Sequence, residues 1–474
     1  MIRIYICILS LFVFFNILYA QEKIELKKAD KLEGKYENNQ TIREATGNVH
    51  FVHSNTSIYC NYAIQFVEQN RIELKGNVRI FKDTLSLYTE KAYYFGNESK
   101  AICENGITLK DPNATLRADK GIYYFNENKA HFTGDVIIVN PKYKITAKEL
   151  IYMRNTEDSF CKGNVVVKTE SSIIKAEYID FYKQIGKTFA HQKVSIEKDS
   201  TLIFSDTLID FSNEKKTIGF GNVKINDYKT GMYAIGDYLE NYENTLYTLI
   251  KGNAVLIRPE KSGDTLYIYC NILEAFRKKP EYYFAKENVN IIRTDFLAKC
   301  GMSRYYTGIS DSVDVVTFSE NPIVWQKDLQ MVADSIYAEL IENRIKTVYT
   351  KRLHNLKNSR FSFIISLSDS NFPDRYDQIK GNNIIMNFEG SKLSSVFVDS
   401  NAIGIYYSYE GKKANGINFI DGENMTIYFD TNQKVKRVKI EKNPNGKYVP
   451  EILISTVERF LPEFIIYEDK PKRQ

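Results

Sequence analysis

In a chain of 474 residues, 64 Lys and Arg are nearly matched by 59 Asp and Glu, giving a formal net charge of +5. Charges so balanced and so interspersed describe a solvated face and exclude the basic footprint of a nucleic-acid binder. The 34 Tyr and 28 Phe, against one Trp and ten Pro, favour strands, because aromatic side chains suit a half-buried pleated surface.

The chain opens with Arg3, an apolar run from Ile4 to Phe15, and Leu18-Tyr19-Ala20 before Gln21. This is the form of a secretory signal peptide over residues 1–20, cleaved after Ala20. The run is short for a bilayer span, and no Cys follows the cleavage point to carry a lipid anchor. Export is therefore expected, into a compartment outside the cytoplasm. Cys7 leaves with the signal, so five cysteines remain, an odd number.

From residue 21 to about 345 the sequence repeats. A small residue recurs every 29 positions at Cys60, Thr89, Ala118, Ala147, Ala176, Ser205 and Ala234. An apolar column keeps the same interval: Val49, Val78, Ile107, Val136, Val165, Val194 and Val223. Two residues on, every copy is apolar again, at Phe51, Ile80, Leu109, Ile138, Val167, Ile196 and Ile225. Units of this length cannot bury a face alone and must stack on their neighbours. The expectation is an all-β, elongated repeat.

Each unit carries two turn signals. One column runs Asn97, Asn126, Asn155, Gln184, Asn213, the other Asp83, Pro112, Pro141, Glu170, Asp199. Turns about 14 residues apart leave room for two strands of about ten residues per unit. Polar residues such as His50, Arg79 and Lys224 alternate with the apolar columns, so one wall is apolar and the other polar. Around Val136 and Val165 both faces are apolar, and greater burial is expected there. Gly47, Gly76, Gly134, Gly163 and Gly221 precede the apolar column and read as strand entrances with positive φ or a bulge. Asn105 and Gln192 replace glycine in two units; Asn105 can visit that geometry, whereas the unit of Gln192 is expected to bend differently. Cys103 and Cys161 share a column with Ala45, Leu74, Phe132, Ala190 and Gly219, so they read as small hydrophobes rather than disulfide partners.

After Val223 the period loosens. Gly252-Asn253-Ala254-Val255, Glu287-Asn288-Val289 and Glu320-Asn321-Pro322-Ile323 continue it at longer intervals. Residues 346–380 read as an irregular connection, 381–445 as a second β section, and 446–474 as a tail that is polar apart from Phe464 to Tyr467.

Signs of chemistry are sparse. The histidines His50, His53, His131, His191 and His354 form no metal-spaced pair, and no nucleophile elbow, phosphate loop or zinc motif occurs. Asp180 and Asp210 lie one residue out of phase with the repeat. No catalytic residue, metal or cofactor is assigned, and an enzyme is not expected.

The strand Ala118-Asp119-Lys120-Gly121-Ile122-Tyr123-Tyr124-Phe125 followed by Gly134-Asp135-Val136, with near-copies in phase, resembles the OstA-like family. That family includes the lipopolysaccharide-transport protein LptA and the N-terminal domain of LptD. The resemblance covers residues 23 to 345 well and the second section weakly. It implies an antiparallel, open V-shaped β-jellyroll over residues 21–345 with lipid acyl chains between its walls. The lipid-binding positions would then be the fourteen apolar residues of the two columns, from Val49 and Phe51 to Val223 and Ile225. It also implies a periplasmic bridge for lipopolysaccharide or a related glycolipid, with jellyroll domains of the inner- and outer-membrane export machines as partners, and head-to-tail self-association. The chain is much longer than LptA and lacks room for the barrel of LptD. The other reading of the repeat is a secreted structural or adhesive β-solenoid with a packed core.

Overall fold

Both turn columns prove to be turns. Asp83 and Asp199 sit in two-residue hairpins with φ near +50°, closing the pairs Lys82↔Leu85 and Lys198↔Thr201. The Asn column lies in four-residue turns such as Gly96–Ser99 and Ser212–Lys215. Short polar side chains tolerate the left-handed backbone that such reversals need. The strands between them are 11 or 12 residues long through most of the repeat.

The computed structural model describes residues 22–259, 263–310, 313–342, 344–390, 392–411 and 413–473. The expected signal peptide, residues 1–20, lies outside them. Two compact units divide the chain after Glu170.

The first unit is an antiparallel meander. Gln40–His53, Thr56–Phe66, Arg71–Lys82 and Leu85–Phe95 pair in sequence order, and Lys129–Asn140, Tyr143–Met153 and Asp158–Thr169 continue the pattern. Between these runs, two strands are split at mid-length into Lys100–Cys103 with Ile107–Asp111 and Ala114–Ala118 with Lys120–Tyr124. There Gly106, not Asn105, takes the positive φ.

The glycine column marks the middle of each strand and not its entrance. Gly76 (φ +73°) and Asn77 (φ +48°) form a bulge between the pairs Lys75↔Lys91 and Val78↔Thr89. Bulges bend a strand and increase its twist. On the facing strand the buried positions run Leu85, Leu87, Thr89 and then Ala92, Tyr94, so the alternation slips by one residue at Glu90-Lys91. A strand that changes phase while keeping one face buried has turned a corner. Each half-strand thus belongs to one of two arms, with their apolar faces turned inward.

Gln192 departs from expectation: it adopts φ +62°, with Lys193 at +57°, and its strand carries the same bulge, between His191 and Val194. Glu287-Asn288 and Glu320-Asn321 do likewise. The surrounding ladder imposes the geometry even where the side chain disfavours it. The small-residue column pairs across strands with the apolar one, as Val49↔Cys60, Val78↔Thr89, Ile107↔Ala118 and Val136↔Ala147. It slips at the last copy, where Gly236 faces Val223 and Ala234 faces Ile225, because the hairpin turn there has four residues, Tyr228–Gly231.

The second unit begins with the same meander, from Ser172–Tyr182 to Leu297–Ser310. Residues 346–380, expected to be irregular, carry the strands Ser362–Leu367 and Tyr376–Gly381. The loops 352–361 and 368–375 lack regular structure; buried Asp334 holds the first by accepting from Leu353 N, Ser359 Oγ and Arg360 N at 2.7–2.9 Å. Asn383–Glu389 pairs with Arg344–Lys351, and Val348, Ile364, Ile384 and Val398 share one core with Val223. The expected tail from residue 446 contributes the strand Asn445–Pro450 and a short 3-10 helix, Glu451–Thr456, before an extended segment.

Candidate functional site: an apolar trough between two arms

Every column residue from Val49 to Val223 lies on the inward face. In the first unit Phe51, Ile80 and Leu109 are at most 1% exposed and Ile138 is 3% exposed, while Val167, the last of that column, is half-buried. The corner residues Val49, Val78, Ile107, Val136 and Val165 are buried throughout. Burial around Val136 and Val165 is not greater on both faces: Val139 is exposed, and Ile137 and Val166 are half-buried.

In the second unit Val194, Ile196 and Val223 are buried and Ile225 is half-buried. Their inward neighbours Ile174, Ile203 and Met232 are also half-buried. From Leu256 onward the trough closes, and near Phe296, Phe318 and Met331 only an apolar cavity of about 20 Å³ remains, enough for one water-sized group.

The opposite arm completes the trough with residues that the sequence reading did not assign. Ala63, Ala92, Leu150, Ile179 and Leu208 are all buried, and they too fall at multiples of 29 residues. Beyond them Tyr94, Tyr123, Tyr152 and Phe181 line the same arm. Burial pushes the Tyr94 and Tyr123 hydroxyls up to about 12.

Polar side chains span the mouth of the trough. His53 Nδ1 and the Tyr94 hydroxyl share a hydrogen bond at 2.9 Å. Lys82 Nζ donates to Phe125 O at 3.1 Å, and Arg154 Nε to Asp111 Oδ2 at 2.6 Å. His53, Lys82 and Asp111 are themselves 29 apart, so the latch repeats with the fold. In the second unit Lys198 Nζ donates to Glu243 Oε1 at 2.6 Å. At the first end, His53 and Asn70 Nδ2 bond the carbonyl of Glu22, and Gln65 Nε2 donates to that of Ile24, so the start of the described chain covers the trough.

Three further histidines pack against neighbours in the ladder. His50 stacks on Tyr59 and His191 on Tyr178, while His131 Nε2 lies 2.8 Å from Glu149 Oε1. Asp180 and Asp210 point to opposite faces of the sheet; burial raises both carboxyls, and Asp210 accepts from Thr217 Oγ1 at 2.8 Å. Among the described residues the five cysteines are free and buried. Burial pushes the thiols of Cys60, Cys103, Cys270 and Cys300 up to about 12. Among the described residues no helix is long and apolar enough to cross a membrane.

Outward positions of the second unit carry an aromatic row, Tyr242, Tyr247, Phe276, Tyr282 and Tyr306, with successive centroids 4.4–5.9 Å apart. The rings meet across strands, Phe276 and Tyr282 stacked and the other pairs tilted, and such cross-strand pairs stabilise the ladder.

Residues 21–177 match the family model of the OstA-like proteins. No curated protein matches the chain. Among solved structures, the chain is similar to LptH, described as the LptA-homologous periplasmic component of the lipopolysaccharide transport device of Pseudomonas aeruginosa. The identity is 11%, the match covers 21% of this chain and 75% of that one, and the TM-score is 0.20, too low to carry a statement about this chain.

Proposed function

We propose, from a chain whose residues 21–177 are OstA-like, that this protein carries lipopolysaccharide or a related glycolipid across the periplasm. Its acyl chains would lie between the two arms. The observation that supports this most directly is the half-exposure of inward apolar residues, Val167 in the first unit and Ile174, Ile203, Ile225 and Met232 in the second, while the column residues from Val49 to Ile138 are covered.

Exposing an acyl chain costs about 0.8 kcal/mol per CH₂, so a chain of about a dozen carbons amounts to ~10 kcal/mol. A trough lined at equal intervals by valine, isoleucine and small residues offsets that cost. A lipid moved by one repeat meets nearly the same surface, which favours sliding over tight parking. The driving energy comes from elsewhere, and the reading assigns no catalytic residue. Export by the segment 1–20 and contact with jellyroll domains of the inner- and outer-membrane machines belong to the same proposal.

Site-specific photocrosslinking in cells tests it, with the probe at Val167, Ile203 and Ile225 and, as outward controls, at Ser195 and Lys224. Lipopolysaccharide adducts at the inward positions alone are expected. Their absence at all three leaves a packed structural solenoid as the better account.

A further inference from the structure

In the arm opposite the valine column, two inward columns change character as the repeat proceeds. At intervals of 29 residues the first runs Tyr94, Tyr123, Tyr152, Phe181 and then Asp210, with Asn241 a further 31 residues on. The column beside it runs Ile72, Ala101, Ala130 and Ser159, then turns to threonine at Thr188 and Thr217, with Thr248 again 31 residues on. In the first unit this stretch is closed: Ile72, Tyr94, Ala101, Tyr123 and Ala130 are 0% exposed. In the second unit Thr188, Asp210, Asn241 and Thr248 are half-buried and only Thr217 is buried. They are cross-strand neighbours, Thr188↔Asp210, Asp210↔Thr217, Thr217↔Asn241 and Asn241↔Thr248. One row therefore crosses five strands, about 19 Å at the usual strand spacing.

The row is wired in pairs. Thr217 Oγ1 donates to Asp210 Oδ1 at 2.8 Å, and Thr248 Oγ1 to Asn241 Oδ1 at 2.8 Å, where Arg277 Nη2 also donates at 2.9 Å. Among the described residues Asp210 Oδ2 and Asn241 Nδ2 make no further hydrogen bond, which leaves an acceptor and a donor for a ligand. The facing arm is different in kind, because its inward, half-buried residues Ile174, Ile203, Ile225 and Met232 are all apolar. Lys198 from that arm meets Glu243 across the mouth, and both lie within electrostatic reach of Asp210. Past the row Tyr283 donates from its hydroxyl to Met232 Sδ at 3.4 Å, and there the arms meet. The open stretch of the second unit is thus two-faced, hydrocarbon on one wall and hydroxyl, amide and carboxylate on the other.

We propose that this stretch selects its lipid: Asp210, Thr217, Asn241 and Thr248 hydrogen-bond the hydroxyl and amide groups of a glycolipid while the facing isoleucines cover its hydrocarbon. The selection rests on the lipid-carrying reading and adds a specificity to it. A plain diacyl lipid lays hydrocarbon along the row and leaves Asp210 and Asn241 cut off from water without a partner, which is unfavourable. A ligand with hydroxyls and amides along its length replaces the water that these groups lose. Sites built to hydrogen-bond a ligand hydroxyl reject the analogue that lacks it.

The test uses the full chain with a benzophenone amino acid at Ile203. It is irradiated with purified lipopolysaccharide or with phosphatidic acid, at equal concentration in the same detergent, and the adducts are quantified by mass spectrometry. Phosphatidic acid supplies acyl chains and negative charge without sugar hydroxyls or amides. With the native row, lipopolysaccharide adducts are expected to exceed phosphatidic acid adducts by about ten-fold or more. Asp210→Leu, Thr217→Val, Asn241→Leu and Thr248→Val together are expected to remove that preference, with the phosphatidic acid adduct no lower than before. Should this variant lose its cooperative unfolding transition, Thr217→Val with Thr248→Val replaces it, since valine keeps the shape and suits a strand, and a fall of about three-fold in the preference is expected. Equal capture of the two lipids by the native row, an unchanged preference in a folded variant, or an equal loss of both adducts, as a purely structural row gives, overturns the selection and leaves lipid carriage standing. No adduct with either lipid from the native row overturns lipid carriage and the selection with it.

Discussion

Asp111 and Arg154 meet across the mouth of the first unit, one at the end of each arm, at 2.6 Å and with side chains only 10% and 21% exposed. The Arg154 guanidinium also donates from Nη2 to Thr84 Oγ1 at 2.7 Å. Charge-assisted bonds in such a setting contribute about 1.5–3 kcal/mol. Asp111→Ala is therefore expected to lower stability by about 2 kcal/mol, read as a shifted urea midpoint with unchanged slope. Adding Arg154→Ala should cost less than the sum of the single changes. Strict additivity would deny the latch.

Asp377 makes stability depend on pH. Burial pushes its carboxyl up to about 6, although Tyr407 N donates to Oδ1 at 2.9 Å. The unfolded carboxyl ionises near 3.9. Between pH of about 4 and 6 the folded chain holds a proton that the unfolded chain has lost, so this contribution is fully present below about 4 and is lost as pH rises through 6. The span is worth about 3 kcal/mol. Asp377→Asn, compared with the native chain from pH 4 to 7, should gain in relative stability as pH rises and level off above 6. A difference constant with pH would contradict this.

Gln192 occupies a left-handed position that its side chain disfavours. Gln192→Gly should stabilise the chain by about 1 kcal/mol, the cost of that conformation for a residue with a Cβ. The reverse change at the equivalent bulge, Gly221→Ala, places a Cβ 2.4 Å from Asp206 Oδ2 at φ +71° and should destabilise. Thermal unfolding of both variants reads the two signs, and a loss of stability in Gln192→Gly would show that the side chain contributes more than the backbone costs.

Native thiols should be inert. With Cys60, Cys103, Cys270 and Cys300 pushed up to about 12 by burial, almost no thiolate exists at pH 8. Iodoacetamide is expected to label none of them until the chain is unfolded, whereupon they react together with Cys161. Fast labelling of the native chain, located by peptide mass mapping, would mean that the trough opens on the time scale of the reagent.

The repeat, its turns and the inward sense of the Val49 and Phe51 columns were legible because turn chemistry and alternation are local. The opposite arm keeps the same 29-residue interval, as Ala92 and Leu150 show, yet extrapolating alternation from Thr89 places Ala92 outward, since the phase slips at Glu90-Lys91. Gln192 misled for a different reason: its own preference yields to neighbours on both sides. The docking of the last segment could not be read at all, because the bond from Tyr467 to Gln330 joins residues 137 apart and Tyr467 lies outside the repeat. Irregularity was overread between 346 and 380, where short strands carry polar residues such as Gln378 and Lys380 that are buried only by residues eighty positions later.

The mid-strand bulge has a consequence for how such a chain can change length. Bend and corner pair are specified inside a single 29-residue cassette, each latch reaches into the next one, and within the meander each strand bonds only its neighbours in sequence. Copying or deleting one cassette in frame adds or removes two strands while leaving every other corner where it was. Span and cross-section are then inherited separately: the first by the number of copies, the second by the glycine, asparagine and valine at each corner.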